Sequence, residues 1–457
     1  LLNLEPQKIF SKKDVQTYKV GRFAFFFCIL LLHQHEIFAE IKKETNKKVM
    51  TKGMMKMNIV RRFAVLAIAF VLLSAGVLQA NAQSVSDIVG IVLDGILGKK
   101  EQVKNESENN MPVTVKTTMP SEEDRHEGTW LQWVHSYKYG NEYQDSLEPT
   151  WIAMAKALVK SENVHIIAYN EEEVEHIKQV LTENEVSLDR VDFVIKRTDD
   201  VWVRDNGPIY VFDQNNQLKI SDWGFNGWGK KMAYRNDDTV PAEVSRETGK
   251  PIIDLNDVVL EGGAIEIDGE GVLMATKSST IQNRRNEKMS QTEFEEVLTE
   301  YLGVKKFIWL DGKYGGKEDV TDMHIDGFAR FAHNSTIVTM DSDDLSEWGL
   351  SNADITRLNA ATDINGTPYN FVRLPLTANN VRTTDGRNLG YKGSYVNFYS
   401  ANTVVLMPTY NDPNDTVALN LLQQLYPNKT VVGIDVRNLY ENGGMVHCVT
   451  QQQPAER

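Results

Sequence analysis

The sequence predicts an α/β fold in which hairpin-plus-helix units repeat around a ring, and three observations carry that prediction. Segments with helical apolar periodicity alternate with short β-like runs along residues 113–457. Four strand-turn-strand elements of one design recur roughly every sixty residues, the signature of a repeat architecture. Ionisable residues stand at corresponding places just before those hairpins and again near the end of the chain.

In chain order, the first stretch stands apart from that pattern. Residues 1–53 contain only a short apolar patch, Phe23 to Leu32, and read as an over-extended gene start to which no fold is assigned. From Met54 the pattern is that of a secretory signal peptide: a basic flank ending at Arg62, the apolar run Phe63 to Leu73, and small residues at Ala80 and Ala82. The run falls short of the ~20 residues needed to span a bilayer. The expectation is therefore export to the periplasm or medium, with cleavage after Ala82 and no membrane anchor left behind. Residues 83–112 combine a short amphipathic piece, Ser86 to Leu97, with a polar run and read as a linker or pro-segment. The globular domain is expected over residues 113–457.

With 41% hydrophobic and 25% charged residues, the chain has ample material for a large core. Residues 1–82 carry 13 of the 49 Lys and Arg and 5 of the 63 Asp and Glu. The remainder has 36 basic against 58 acidic residues, a net charge of −22 that repels nucleic acid. Its single cysteine, Cys448, can form no internal disulfide. An unpaired thiol in an oxidising compartment is a liability unless it is buried or used.

Helical periodicity marks Glu148 to Lys160, Glu171 to Asn184, Gln291 to Leu302, Ser351 to Thr362 and Asp415 to Tyr426. β-like runs follow at Val164 to Tyr169, Val191 to Lys196, Lys305 to Leu310, Phe371 to Leu374 and Thr430 to Val436. Hairpins with Asp, Asn or Gly turns are expected over Pro208 to Trp223, Ala264 to Thr276, Phe328 to Met340 and Tyr395 to Met407. Near the end, Gly443 and Gly444 introduce Met445 to Val449, which reads as a short extended run ending in Thr450 and three glutamines.

Asp205, Glu261, His324 with Asp326, and Cys448 occupy equivalent places in successive units. Singly, each has an ordinary explanation: an ion pair of Asp205 with Arg204, a turn residue before two glycines, a core histidine, a buried thiol. As a set on a cyclic repeat they converge on one pocket. His324 and Asp326, two apart, would face the same way on a strand. A Cys with a His suits nucleophilic catalysis, and paired carboxylates suit a planar cation, since Asp205 and Asp326 can each accept two N–H bonds from a guanidinium fork. A peptidase would want one orienting group and an oxyanion hole rather than several anions. A metal site from His324, Asp326, Glu261 and Cys448 lacks any compact ligand motif, so neither metal nor cofactor is expected.

At Met119 to Trp130 (MPSEEDRHEGTW), Val201 to Pro208 (VWVRDNGP), Trp223 to Gly229 (WGFNGWG), Leu260 to Gly271 (LEGGAIEIDGEG), His324 to Phe328 (HIDGF) and Gly443 to Pro454 (GGMVHCVTQQQP), the sequence resembles the agmatine deiminases. These are grouped with the Porphyromonas-type peptidylarginine deiminases in the guanidine-modifying superfamily. The resemblance runs from Met119 to Pro454. It implies a pentein-like, five-bladed α/β propeller with a central funnel. It also implies metal-free hydrolysis of a guanidinium substrate, with Cys448 as nucleophile, His324 as general acid and base, Asp205 and Asp326 as the clamp, Glu261 orienting or charging His324, and Trp202 as a pocket wall.

The sequence departs from the agmatine pattern at Met323 and Gly327 flanking His324, at Asn442, and at Val320, where an acidic residue is expected to bind the substrate's distal amine. Glu318 and Asp319, just upstream, are the replacements expected. Agmatine, converted to N-carbamoylputrescine and ammonia, is the expected substrate, with an arginyl peptide as the alternative. A cysteine peptidase of new type and a non-catalytic guanidine-binding propeller remain the readings of other classes. No nucleic-acid partner is expected, and a homo-oligomer is compatible with the sequence.

Overall fold

One strand-pairing plan recurs five times among the described residues of the computed structural model, which are 113–316 and 319–457. In each sheet an antiparallel pair is followed by a helix and a strand that returns parallel to the pair's second member. Thus Ile209–Asp213 pairs antiparallel with Leu218–Gly224, which pairs parallel with Ile252–Val259 beyond the helix Val240–Thr248. Ile265–Ile267, Val272–Thr276 and Lys306–Leu310 repeat this around the helix Gln291–Leu302. Ala329–Ala332, Thr336–Thr339 and Asn370–Arg373 form the next sheet, and Tyr399–Ser400, Val404–Thr409 and Thr430–Asp435 the one after.

The remaining sheet joins the two ends of the described chain. Gln451–Pro454 pairs antiparallel with His126–Gln132, which continues parallel to Asn163–Ala168 and Val191–Ile195. The three glutamines pin this seam. Gln451 donates to the Pro208 carbonyl at 2.8 Å, Gln452 accepts from Arg204 at 2.8 Å, and Gln453 accepts from Tyr210 at 2.7 Å. The fold is α/β with mixed sheets.

Local chemistry explains the elements. Ser290 and Glu293 form a reciprocal capping box at the start of Gln291–Leu302, and Gly303 ends that helix in the left-handed region at φ 74°. Central strands are buried on both faces, as in Val272–Thr276, and therefore read as continuous apolar runs. The outer strand Ile252–Val259 is half-exposed, and its Asp254, Asn256 and Asp257 mask it as a strand in the sequence. The largest core cluster runs from Leu131, Trp133 and Trp151 through Phe328, Tyr395 and Phe398 to Val449.

Two local expectations are corrected. Met445 to Val449 is not extended: Val446 has helical dihedrals and His447–Val449 is a 3-10 turn, so the strand begins only at Gln451. His324 and Asp326 do not lie on a strand either, because His324 caps the 3-10 turn Ile325–Gly327. The signal peptide, the linker or pro-segment and Glu318 lie outside the described residues. No helix among the described residues is long and apolar enough to cross a membrane.

Candidate active site

A short helical turn precedes the first strand of four sheets, and each turn carries or is capped by a residue expected at the site. Asp205 lies in Val203–Asn206, Glu261 caps Gly262–Ala264, His324 caps Ile325–Gly327, which contains Asp326, and Cys448 lies in His447–Val449.

Gly263 marks where they meet. A Cβ there would fall 2.7 Å from Asp205 Oδ1, 2.8 Å from His324 Nδ1 and 3.0 Å from Asp326 Oδ2, so only glycine lets the three side chains approach the backbone this closely. His324 Nδ1 is 3.6 Å from Asp205 Oδ1, and its Nε2 is 2.6 Å from Glu261 Oε2. Cys448 Sγ lies 4.0 Å from Asp326 Oδ2. Asp205 is held by Trp228, whose Nε1 donates to Oδ2 at 2.8 Å, and by the Gly263 amide, which donates to Oδ1 at 3.0 Å. Trp202 is buried with its ring against Gly444, where a Cβ would come within 2.2 Å of it. The carboxylates, the imidazole and the thiol expected together are together, and Cys448 alone of these is only partly buried.

Several residues that complete the cluster are not among those expected from the sequence. Arg285 forks onto Glu261 with bonds of 2.8 and 2.9 Å and reaches Asp322 Oδ2 at 2.8 Å. Lys231 meets the same Asp322 oxygen at 2.6 Å. His447 bridges Asp326 at 2.8 Å and Glu122 at 2.9 Å, and Glu122 is itself paired with Arg330 at 2.9 Å. Asn397, just ahead of Tyr399–Ser400, stands in the fifth sheet's equivalent position with its Oδ1 3.4 Å from Cys448 Sγ. His447 is the neighbour of Cys448 in the sequence, but Asn397 falls inside the expected hairpin Tyr395 to Met407, and Arg285 lies in an irregular loop with no pattern to single it out.

The electrostatics divide these groups. Burial, with Asp326 and Glu261 nearby, pushes Asp205 up to about 6 against the opposing pull of His324. Burial acts to lower His324, but Asp205, Glu261 and Asp326 outweigh it and raise the imidazole to about 9. Glu261 stays below the usual carboxylate range despite its burial because Arg285 and His324 face it. Asp326 does so because of His447, His324 and Arg330. Burial first, then Asp326 and Asp205, push the Cys448 thiol well above its ordinary range. In the free protein the arrangement is a charged imidazolium, at least two carboxylates and a protonated thiol. Among the described residues no group of three or more His, Cys, Asp or Glu is arranged to hold a metal ion.

Asp319 is turned into its own loop: Oδ1 accepts from the Thr321 amide at 3.0 Å and hydroxyl at 2.6 Å, and Oδ2 from the Met323 amide at 2.8 Å. Val320 offers its carbonyl to Lys231 at 2.8 Å.

Comparison with known proteins accords with this geometry. The agmatine deiminase of Pseudomonas aeruginosa (strain LESB58) is 30% identical over 361 residues, spanning 74% of this chain and 96% of that protein. The structure of the agmatine deiminase of Enterococcus faecalis superposes with a TM-score of 0.65 at 25% identity, covering 75% of this chain and 97% of that one. A Cys-to-Ser variant of the C. jejuni agmatine deiminase with substrate bound gives 0.64 at 26% identity, covering 74% and 97%. The sequence model of the Porphyromonas-type peptidyl-arginine deiminases matches residues 118–454, and the chain belongs to that family.

Proposed function

We propose that this protein hydrolyses the guanidinium group of agmatine, releasing ammonia and N-carbamoylputrescine, through a covalent intermediate on Cys448. The observation that carries the reading is the convergence of Asp205, His324 and Asp326 on Gly263, with the Cys448 sulfur next to Asp326. A guanidinium carbon held there by two carboxylates is within reach of a thiol on one side and an imidazolium on another.

In this mechanism the bound cation offsets the two carboxylates that hold the thiol protonated, and the thiol proton leaves to water. The Cys448 thiolate then attacks the guanidinium carbon, forming a C–S bond. His324, charged and paired with Glu261, gives its proton to the departing nitrogen as the C–N bond breaks, and ammonia leaves a thiouronium on Cys448. The neutral imidazole next takes a proton from water, whose oxygen attacks the same carbon. The C–S bond breaks, the protonated ureido group gives its extra proton to the departing thiolate, and the neutral ureido product leaves with the thiol and imidazolium restored. Exclusion of bulk water strengthens both the clamp and the His324–Glu261 pair.

The same reading takes the five sheets as blades around the axis on which their turns meet. The shared pairing plan and the seam between Gln451–Pro454 and His126–Gln132 support it. Trp202 serves as a wall of the pocket. Export rests on the apolar run and the Ala80–Asn81–Ala82 site in the sequence.

A second reading, deimination of peptidyl-arginine, is favoured by one observation: Val320 replaces an acid, and both oxygens of Asp319 are engaged by their own loop. On the agmatine reading the distal ammonium needs an anionic partner, for which the sequence offers Asp319 or Glu318, because burying that charge unpaired would cost several kcal/mol. Ammonia release measured across agmatine, free arginine and arginyl peptides tests both. Agmatine is expected to be preferred, with a loss of efficiency in Glu318→Gln plus Asp319→Asn. Arginyl peptides as much better substrates, with the double variant unchanged, would replace the agmatine reading by the second one.

A further inference from the structure

We propose that Asn397 holds the Cys448 sulfur in its thiol form in the free protein, by accepting the S–H hydrogen bond. The proposal rests on the reading of Cys448 as the nucleophile. Asn397 is fully buried, and the orientation of its amide is set from both sides. Its Oδ1 accepts from the backbone amide of His447 at 3.0 Å, and its Nδ2 donates to the carbonyl of Asp326 at 3.2 Å. A backbone N–H can only donate and a carbonyl can only accept, so the flipped amide would lose both bonds.

The atom facing Cys448 Sγ at 3.4 Å is therefore an oxygen. An amide oxygen accepts a bond from S–H and offers none to a thiolate, and a hydrogen bond made only to the neutral form disfavours the charged one. Asp326 and Asp205 push the thiol up as negative charges, whereas a hydrogen bond donated by the Asn397 amide nitrogen would pull it down; that nitrogen is engaged with the Asp326 carbonyl. The two carboxylates differ from Asn397 in being neutralised when a guanidinium binds. The amide sets a constant bias toward S–H, and the carboxylates a bias that the substrate removes. Because alkylating agents and oxidants attack the thiolate, a sulfur stored as S–H resists them until the substrate arrives. The same amide ties the sulfur's turn to the backbone of Asp326, so the nucleophile and one arm of the clamp share an anchor.

The test is the pH dependence of iodoacetamide alkylation at Cys448, followed on its peptide by mass spectrometry, in full-length wild type, Asn397→Ala and Asn397→Asp. Removing the acceptor in Asn397→Ala is expected to lower the apparent thiol pKa by about one unit. Alkylation near neutral pH then rises roughly tenfold while agmatine turnover falls. In Asn397→Asp, which keeps the shape and adds a negative charge, alkylation is expected to slow roughly tenfold. A residue of purely structural importance would depress turnover in both variants without moving the thiol in opposite directions. An Asn397→Ala thiol that titrates at or above the wild-type value overturns the proposal. Should that variant not fold, an unchanged alkylation profile in the isosteric Asn397→Asp overturns it as well. Alkylation reads the thiol whether or not the protein turns over, so failure of the agmatine reading appears separately, as wild type that releases no ammonia.

Discussion

The Nε2 atom of His324 stands 2.6 Å from Glu261 Oε2, while the ring's other nitrogen faces Asp205 Oδ1 at 3.6 Å. An imidazole between two carboxylates in a buried site is held charged, and its proton is the one the proposed chemistry delivers first. His324 is raised from 6.5 to about 9, so the imidazolium persists through neutral pH and is lost as pH rises through about 9. In Glu261→Gln the alkaline limb of the kcat/KM profile is expected at lower pH, with kcat reduced roughly a hundredfold. A pH-rate series on the two proteins checks this. The linked stability has the same sign: the favourable contribution of His324 is complete below about 6.5 and disappears as pH climbs through about 9.

Asp205 titrates on the other side of neutrality. With its carboxyl raised to about 6, a guanidinium ligand must displace a proton below that pH. The Kd of agmatine for Cys448→Ala is expected to be flat above pH 7 and to weaken toward tenfold per unit below about 6. Asp326, held below the usual range, adds no step there. Calorimetric titration across pH 5–8 measures the curve.

Each arm of the clamp should matter on its own. Asp205→Asn and Asp326→Asn each lose charge-assisted bonds worth about 1.5–3 kcal/mol, a weakening of roughly 10- to 150-fold in Kd. Agmatine binding to each change made in the Cys448→Ala background gives the figure directly.

Gly263→Ala probes this close approach of the clamp and the imidazole to the backbone. The added methyl would sit 2.7–3.0 Å from Asp205, His324 and Asp326 and force the clamp and the imidazole to shift. Turnover is expected to fall at least about a hundredfold, with helix and sheet content preserved by circular dichroism.

Arg285 predicts a stability effect rather than a purely catalytic one. Its side chain is fully buried between Glu261 and Asp322, and its removal leaves Glu261 with His324 and Asp322 with Lys231 as their remaining cationic partners. Arg285→Gln is expected to cost about 3–5 kcal/mol in urea unfolding, with Arg285→Lys intermediate because an ammonium cannot fork onto Glu261.

The hairpins were legible because their turns are written in local chemistry. Asp268 caps the turn with Gly269 and Gly271, both at positive φ, and an apolar run flanks it on each side. Strand Ile252–Val259 was hidden by polar residues on its exposed face, and His126–Gln132 by a partner, Gln451–Pro454, at the far end of the chain. Equivalence of position in the repeats was enough to gather Asp205, Glu261, His324, Asp326 and Cys448. The local geometry invoked for His324 and Asp326 was wrong, since a turn rather than a strand presents them. Arg285 could not be found in this way, because its partners Glu261 and Asp322 are 24 and 37 residues distant and none of the intervening pattern predicts the approach. Repeat logic finds the residues that do chemistry at each unit's end, whereas those that hold them come from loops with no period.

Whether Cys448 carries the reaction is decided by ammonia release from agmatine, measured for wild type and for Cys448→Ala under identical conditions. Wild type is expected to release one ammonia per N-carbamoylputrescine formed, and Cys448→Ala to bind agmatine while releasing essentially none. Ammonia release by Cys448→Ala at a rate near wild type would contradict the covalent mechanism.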